Sequence, residues 1–554
     1  MKERHYRYMI FEYFQNNSAW KYIATASIIL IFVTGAPYLY GYVQTPPGAT
    51  YTGLHALTPG DFNVYYAQML QAGRGDMAER NLFAGIDGVG SISMVNAFWY
   101  CLGIMAHTAG ISMPLAFHLA RLALIPLLVL VLHQLLRILV PFRAFYTAGV
   151  LTFLGSGIGY LALPFLKSPP FEGRYDWPLD LWVPEANTFL TLYHSPHLLA
   201  SLILFLFVLF SFLRASASSK PFWWRLSGGL AAAALFHFHP FHAVTLGSIL
   251  LVWTVIMGRT SLRRSCVTLA VISGISLSSI AWQLMRLRSD WITREWAMQN
   301  VTTTPALWAV LLGYGLLVPL ALAGGVWFWR VRNKGSEPSP LHPRAVWLLG
   351  SWIAVQCVLI LSPLPFQRRL FEGMHVPLAI LAGVGMYIIF NSIPWAKTVH
   401  ILRDPVMVLC WIILISSTVG TVSRDLALFT DHSIYLYLNA AQKKVLDLLM
   451  RASLQEGVVL APVDEASFIP AWTGRAVYGG SGAHSPQEAL RRSMAEWFLS
   501  GQGSREARRQ FLRDENITDV VMMSSDQRDM LTLAADSLLH PVFVDQGIGL
   551  FSMR

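Results

Sequence analysis

LLASLILFLFVLFSFL, residues 198–213, carries no charged side chain and only two hydroxyls, and it ends at Arg214. With its flanks it approaches the roughly 20 apolar residues that a helix needs to cross the hydrocarbon core of a bilayer. Its neighbour in kind, LALIPLLVLVL at 122–132, ends the same way near Arg137 and Arg143. Of the 554 residues, 54% are hydrophobic and only 13% charged. Soluble domains carry roughly 25% charge because water must be met at the surface. Lipid-facing helices need no such coat, so the composition predicts a protein embedded in a membrane.

Working outward from 198–213, apolar blocks between charged or Pro/Gly-rich breaks predict spans near 20–41, 114–138, 144–165, 196–214, 226–239, 241–258, 265–284, 306–330, 345–362, 375–391 and 404–422. The expected class is therefore an all-α polytopic membrane domain, residues 1–422, with about eleven transmembrane helices. Lys and Arg gather at alternate loops, at Arg137/Arg143, Arg214/Lys220/Arg225, Arg259/Arg263/Arg264, Arg330/Arg332/Lys334/Arg344 and Lys397/Arg403. Positive loops stay in the cytoplasm. The N-terminus is then cytoplasmic in a multi-pass protein of the inner or plasma membrane, and loops 42–113 and 166–195 face outward. The net charge of +10 is accounted for by these loops, and no nucleic-acid partner is implied. Segment Ile92–Ala109 is apolar, but counting it as a span would invert the loops that follow. It is expected to lie at the outer interface.

The tail, 423–554, reads as a small extracytoplasmic α/β domain. Val458–Ala461, Ala476–Tyr478, Asp519–Met523, Pro541–Val544 and Gly547–Ser552 are β-rich, while Ser485–Leu499 and Arg505–Asp514 have helical spacing. The four cysteines lie in apolar segments with no metal-ligand spacing.

Chemistry is expected in the outer loops. In the first, Asp61 follows Thr58-Pro59-Gly60 and opens an amphipathic stretch through Tyr65 to Gly73. Alone, such an Asp reads as a helix cap. In the second, Glu185, His194 and His197 stand among aromatic and amide side chains suited to sugar rings, beside Glu172, Arg174, Tyr175 and Asp176. Pro365-Phe366-Gln367-Arg368-Arg369-Leu370-Phe371-Glu372 sets two arginines in an outer loop, against the positive-inside trend. Guanidinium forks suit phosphate oxygens; the bland alternative is an Arg–Glu pair tying the loop. His237, His239 and His242 share no helical face and Pro240 interrupts them, so spacing supports no metal ligand set. Gly479–Gly482 reads as a loop.

The long first outer loop, Asp61 soon after the first span, Tyr65 four residues on, the helix ending at Gly73 and His118-Leu119-Ala120-Arg121 before a span together resemble the membrane glycosyltransferases of the GT-C fold, of the mannosyl- and arabinosyltransferase type. The resemblance covers roughly residues 1–420. It implies a glycosyltransferase that takes sugar from a polyprenyl-phosphate carrier, with Asp61 as base on the acceptor hydroxyl. The remaining site members would be Tyr65, Glu185, His194, His197, Arg368 and Arg369. Implied partners are a lipid-linked sugar donor, a glycan, lipid or protein acceptor of the cell envelope, and membrane lipids. The paired Asp-Glu of some members is absent, the nearest following carboxylates being Asp76 and Glu79, which leaves the cofactor, a divalent cation, open. The alternatives are a transporter or flippase of a lipid-linked saccharide, or a non-enzymatic envelope assembly protein.

Overall fold

A computed structural model describes residues 17–55, 59–76, 78–90, 93–94, 96–140, 142–166, 177–334, 345–391, 400–431, 435–451, 457–523, 527–545 and 547–553. Thr58, the stretch Glu172–Asp176, the Pro/Ser run 335–343 and Lys397 lie outside these residues. Close packing divides the chain into two units: Met1–Pro37, His118–Ala281 and Thr302–Asp425 form the first, and Tyr38–Phe117, Trp282–Val301 and Leu426–Arg554 the second.

Among the described residues, six helices are long and apolar enough to cross a membrane: Ala19–Val43, Met113–Leu139, Pro196–Ala217, Leu262–Ser289, Gln367–Asn391 and Arg403–Thr430. Two bent pairs, Phe145–Leu154 with Gly159–Phe165 (52°) and Leu307–Tyr314 with Leu317–Arg330 (70°), bring the number to eight if each is one span. The protein is thus multi-pass, but the count of about eleven is not reached on length and apolarity. The expected segments 226–239, 241–258 and 345–362 fall on the shorter helices Phe222–Phe238, His242–Ile256 and Val346–Ile360.

In the first unit, helical backbone runs unbroken from His242 to Ser289, 48 residues in all. Along helix Pro196–Ala217, His242 packs on Phe205 at 5.6 Å, Ser265 hydrogen-bonds Ser216, and Gly228 sits between Ser211 and Ile272. Elsewhere, glycines let helices touch. A methyl on Gly385 would stand 2.1 Å from the Leu320 carbonyl, and one on Gly324 2.1 Å from the Leu381 carbonyl. On the same helix, Gly383 meets the Ala148 backbone. Small residues at such crossings replace the hydrophobic drive that lipid does not supply. Arg121, fully buried, donates to the Thr34 and Leu192 carbonyls and so ties three helices together.

In the second unit, a five-stranded sheet has strands β1 (Val458–Leu460), β2 (Ala476–Val477), β3 (Ile517–Met522), β4 (Leu539–Asp545) and β5 (Ile548–Met553). Their order is β2-β1-β3-β5-β4, parallel from β2 to β3 and antiparallel beyond. Each lies on an expected β-rich run. Helices Glu488–Leu499 and Arg505–Asp514 supply the crossover that a parallel β1–β3 pair demands, and they bury Phe498, Phe511 and Leu512 beside Val520 and Phe551. The turn at Gly480–Ser481 is closed by Ser485 Oγ, which accepts from both backbone N–H groups. The first-loop helix Pro59–Gly73 belongs to this unit, where Asn63 donates to Ser467 and Arg74 to the Thr473 carbonyl. Beside it, helix Ala97–Ala109 is capped by Asn96 and Gly110. Its 13 residues rise about 20 Å, short of the roughly 30 Å of hydrocarbon.

The glycine crossings make a direct prediction. Gly385→Leu forces apart two helices whose backbones now touch and lowers stability by roughly 1–3 kcal/mol or more. Thermal unfolding of the detergent-solubilised protein checks it, with the exposed Leu361→Ala as control. An unchanged transition would refute the close packing.

Candidate functional site

Each unit carries part of the expected site. In the second, Asp61 stands in the first turn of Pro59–Gly73, exposed, while Phe62, Asn63 and Val64 after it are buried. The polar–apolar alternation that marked an amphipathic helix therefore turns this carboxylate outward. Tyr65 is half-buried, and its ring stacks on Trp99 at 4.6 Å with Phe117 beyond. Its ring thus stiffens the helix that carries Asp61.

In the first unit the second loop and the arginine loop come together. The turn Pro184–Ala186, with Glu185 buried, packs beside the turn Gln367–Phe371. Arg368 lies over the Trp182 ring at 4.9 Å and Arg369 over Phe241 at 4.8 Å, so both guanidinium planes are oriented by aromatic faces. His194 ends helix Thr188–His194 and is buried. His197, the second residue of the next helix, takes a 2.6 Å hydrogen bond with Ser195 and stacks on His239 at 5.2 Å. Glu185, His194, His197, Arg368 and Arg369 thus belong to one unit.

The same unit holds a group that sequence spacing did not reveal. Helix Phe222–Phe238 ends at His239, Pro240 forces the break, and His242 opens the next helix. The two imidazoles stack at 5.5 Å, and both face Glu372. His242 Nε2 lies 2.7 Å from Glu372 Oε2, and His239 Nδ1 lies 3.9 Å from it. Glu372 thus pairs across the bundle with histidine, in a hydrogen bond that sequence separation hid. One ligand atom from each of the three lies within 4.8 Å of the others. His237, the third histidine of the run, is not in this group.

No protein-family model and no curated protein matches the chain. Among solved structures, it is similar to ArnT from Cupriavidus metallidurans bound to undecaprenyl phosphate, at 13% identity and a TM-score of 0.49, covering 97% of this chain and 98% of that one. It is also similar to the archaeal oligosaccharyltransferase AglB from Archaeoglobus fulgidus in complex with an inhibitory peptide and a dolichol-phosphate. That match has 11% identity and a TM-score of 0.47, over 89% of this chain and 69% of that one.

A second residue that motif reasoning passed over is Asp180, in the turn Leu179–Leu181 outside the spanning helices. Its position between two leucines is the signal that could have found it. The Gly159 N–H donates to its Oδ2 at 3.3 Å, and a methyl on Gly159 would collide with Oδ1. Burial pushes its carboxyl up to about 7, against the opposing pull of hydrogen bonds from Ser417 and the backbone. A folded value above the ordinary 3.8 means that the folded state holds the proton more tightly. The stability this confers is complete below the unfolded pKa and is lost as pH rises through about 7. Wild-type Tm in detergent is therefore expected to fall from about pH 5 to about pH 8, and Asp180→Asn, uncharged throughout, to lose that part of the slope. Identical pH profiles for the two proteins would refute the assignment.

Proposed function

We propose that this protein is an integral membrane glycosyltransferase that moves a sugar from a polyprenyl-phosphate carrier to an acceptor on the extracytoplasmic face. The observation that carries the reading is Asp61: a water-facing carboxylate on the first turn of a helix whose opposite side is clamped by Asn63–Ser467, Arg74–Thr473 and the Tyr65–Trp99 stack. A general base must be both accessible and fixed, and this acid is both. Asp61 takes the proton of the acceptor hydroxyl as its oxygen bonds to the anomeric carbon. The bond from that carbon to the phosphate oxygen breaks, and the polyprenyl phosphate leaves with the electron pair. Arg368 and Arg369, oriented over aromatic rings, meet the charge that grows on the phosphate. Glu185, His194 and His197 supply polar contacts to sugar and carrier. The N-terminus is cytoplasmic, and residues 423–554, with the first loop, face outward to bind acceptor.

The test is transfer of radiolabelled sugar in membranes from a panel of polyprenyl-phosphate sugars. Asp61→Asn keeps the size of the side chain on the first turn of its helix but cannot accept the proton. Transfer is expected to fall at least about a hundredfold with the protein level unchanged. Full activity in Asp61→Asn, or no turnover by the wild type with any donor, would overturn the reading in favour of a transporter or an assembly protein.

A further inference from the structure

We infer that His239, His242 and Glu372 form a binding site for a divalent transition-metal ion of the zinc class. The three residues are at most 5% exposed, and their ligand atoms converge within 4.8 Å. Glu372 Oε1 and His242 Nδ1 are buried without hydrogen-bond partners, although the other atom of each group is bonded. A buried lone pair left without a donor calls for a cation.

The donor set names the metal. Two neutral imidazoles and one carboxylate are borderline ligands that suit zinc, and calcium and magnesium prefer all-oxygen shells. Ligand atoms at about 2.0–2.2 Å around a tetrahedral ion stand about 3.4 Å apart. The widest pair, within 4.8 Å, therefore closes by up to about 1.4 Å. Ligation by Nε2 opens the 2.7 Å hydrogen bond between His242 and Glu372, and the neutral imidazole carries its proton on Nδ1. The supporting shell is in place. Gln356 Nε2 donates to the Glu372 and Leu370 carbonyls at 2.9 and 2.7 Å, His197 stacks on His239, and Phe205 walls His242 edge-on.

Three protein ligands leave a fourth position open. Arg369 lies within electrostatic reach of His239 and His197. With a dication added, a single carboxylate cannot balance the charge, so the open position takes an anionic oxygen, of phosphate chemistry in the proposed reaction. This last point rests on the transferase reading; the metal site does not.

The experiment uses the full chain in detergent, loaded with zinc, desalted and assayed by elemental analysis, and loaded in parallel with Co²⁺ for its visible spectrum. Wild type and Asp61→Asn are expected to retain stoichiometric metal with a tetrahedral Co²⁺ spectrum, and His242→Ala and Glu372→Gln to lose it while eluting as monodisperse protein. Because Asp61→Asn abolishes the proposed transfer but not the metal, the two readings fail separately. Wild-type protein that retains no zinc or cobalt overturns the site and leaves a hydrogen-bonded His–Glu pair, as does metal retained by both variants. Should the variants fail to fold, X-ray absorption on the wild-type zinc protein decides, since a first shell without imidazole scattering overturns the assignment. A Co²⁺ spectrum that shifts with a polyprenyl phosphate but not with inorganic phosphate assigns the open position to the carrier. A shift with both assigns it to phosphate in general, and no shift removes that role.

Discussion

A carboxylate withdrawn from water among apolar helices cannot stand alone, and Glu372 is 1% exposed. Burial of an isolated charge costs several kcal/mol even after relaxation, so its surroundings must supply protons or cations. That demand accounts for much of the local architecture. Pro240 stops one helix so that His239 and His242 can turn toward the acid. Gln356 holds the main chain of Leu370 and Glu372, which fixes the turn that also carries Arg368 and Arg369. The arginines spread over Trp182 and Phe241, where aromatic faces take over part of the solvation that water gave.

A similar economy governs the broken helices. Backbone polar groups freed inside an apolar bundle must find partners there. Where the chain bends after Leu154, the Gly155 carbonyl accepts from Asn187, the Ser156 N–H reaches the Leu414 carbonyl, and the Ile158 N–H reaches the Leu312 carbonyl. Gly157 lies so close to the Leu312 carbonyl that no side chain fits. Asn187 also caps helix Thr188–His194, so one amide both heals the break and sets the direction in which His194 and His197 follow. The polar loop is therefore held by the same contacts that complete the bundle.

These dependencies explain what could be seen in the sequence. The helices around 198–213, 114–138 and 404–422 were legible because length and apolarity are local properties, and each strand of the sheet announced itself by composition. The helix that carries Asp61 was legible too, but it starts at Pro59, so the Pro-Gly pair read as a turn is its first two residues. Glu372 was not. Its partner lies 130 residues away, and helical periodicity says that His239 and His242 diverge, which holds only for an unbroken helix. The link from Asn63 to Ser467, 404 residues apart, was equally hidden, so the first loop read as an appendage of the membrane domain when its contacts are with the tail.

The acids of this protein thus sort by their access to water, and chemistry follows from that sorting. Asp61 faces solvent on its helix, and in the proposed reaction it takes the proton of the incoming hydroxyl. Asp180, enclosed by Gly159 and its own leucines, holds a proton near neutral pH and serves the fold. Glu372 is enclosed as well, but by imidazoles in place of main chain. The proposed glycosyl transfer divides in the same way, between a step that needs an aqueous base, for which Asp61 has the exposure, and a leaving group whose charge must be met where water is scarce, for which Arg368 and Arg369 have the cationic character.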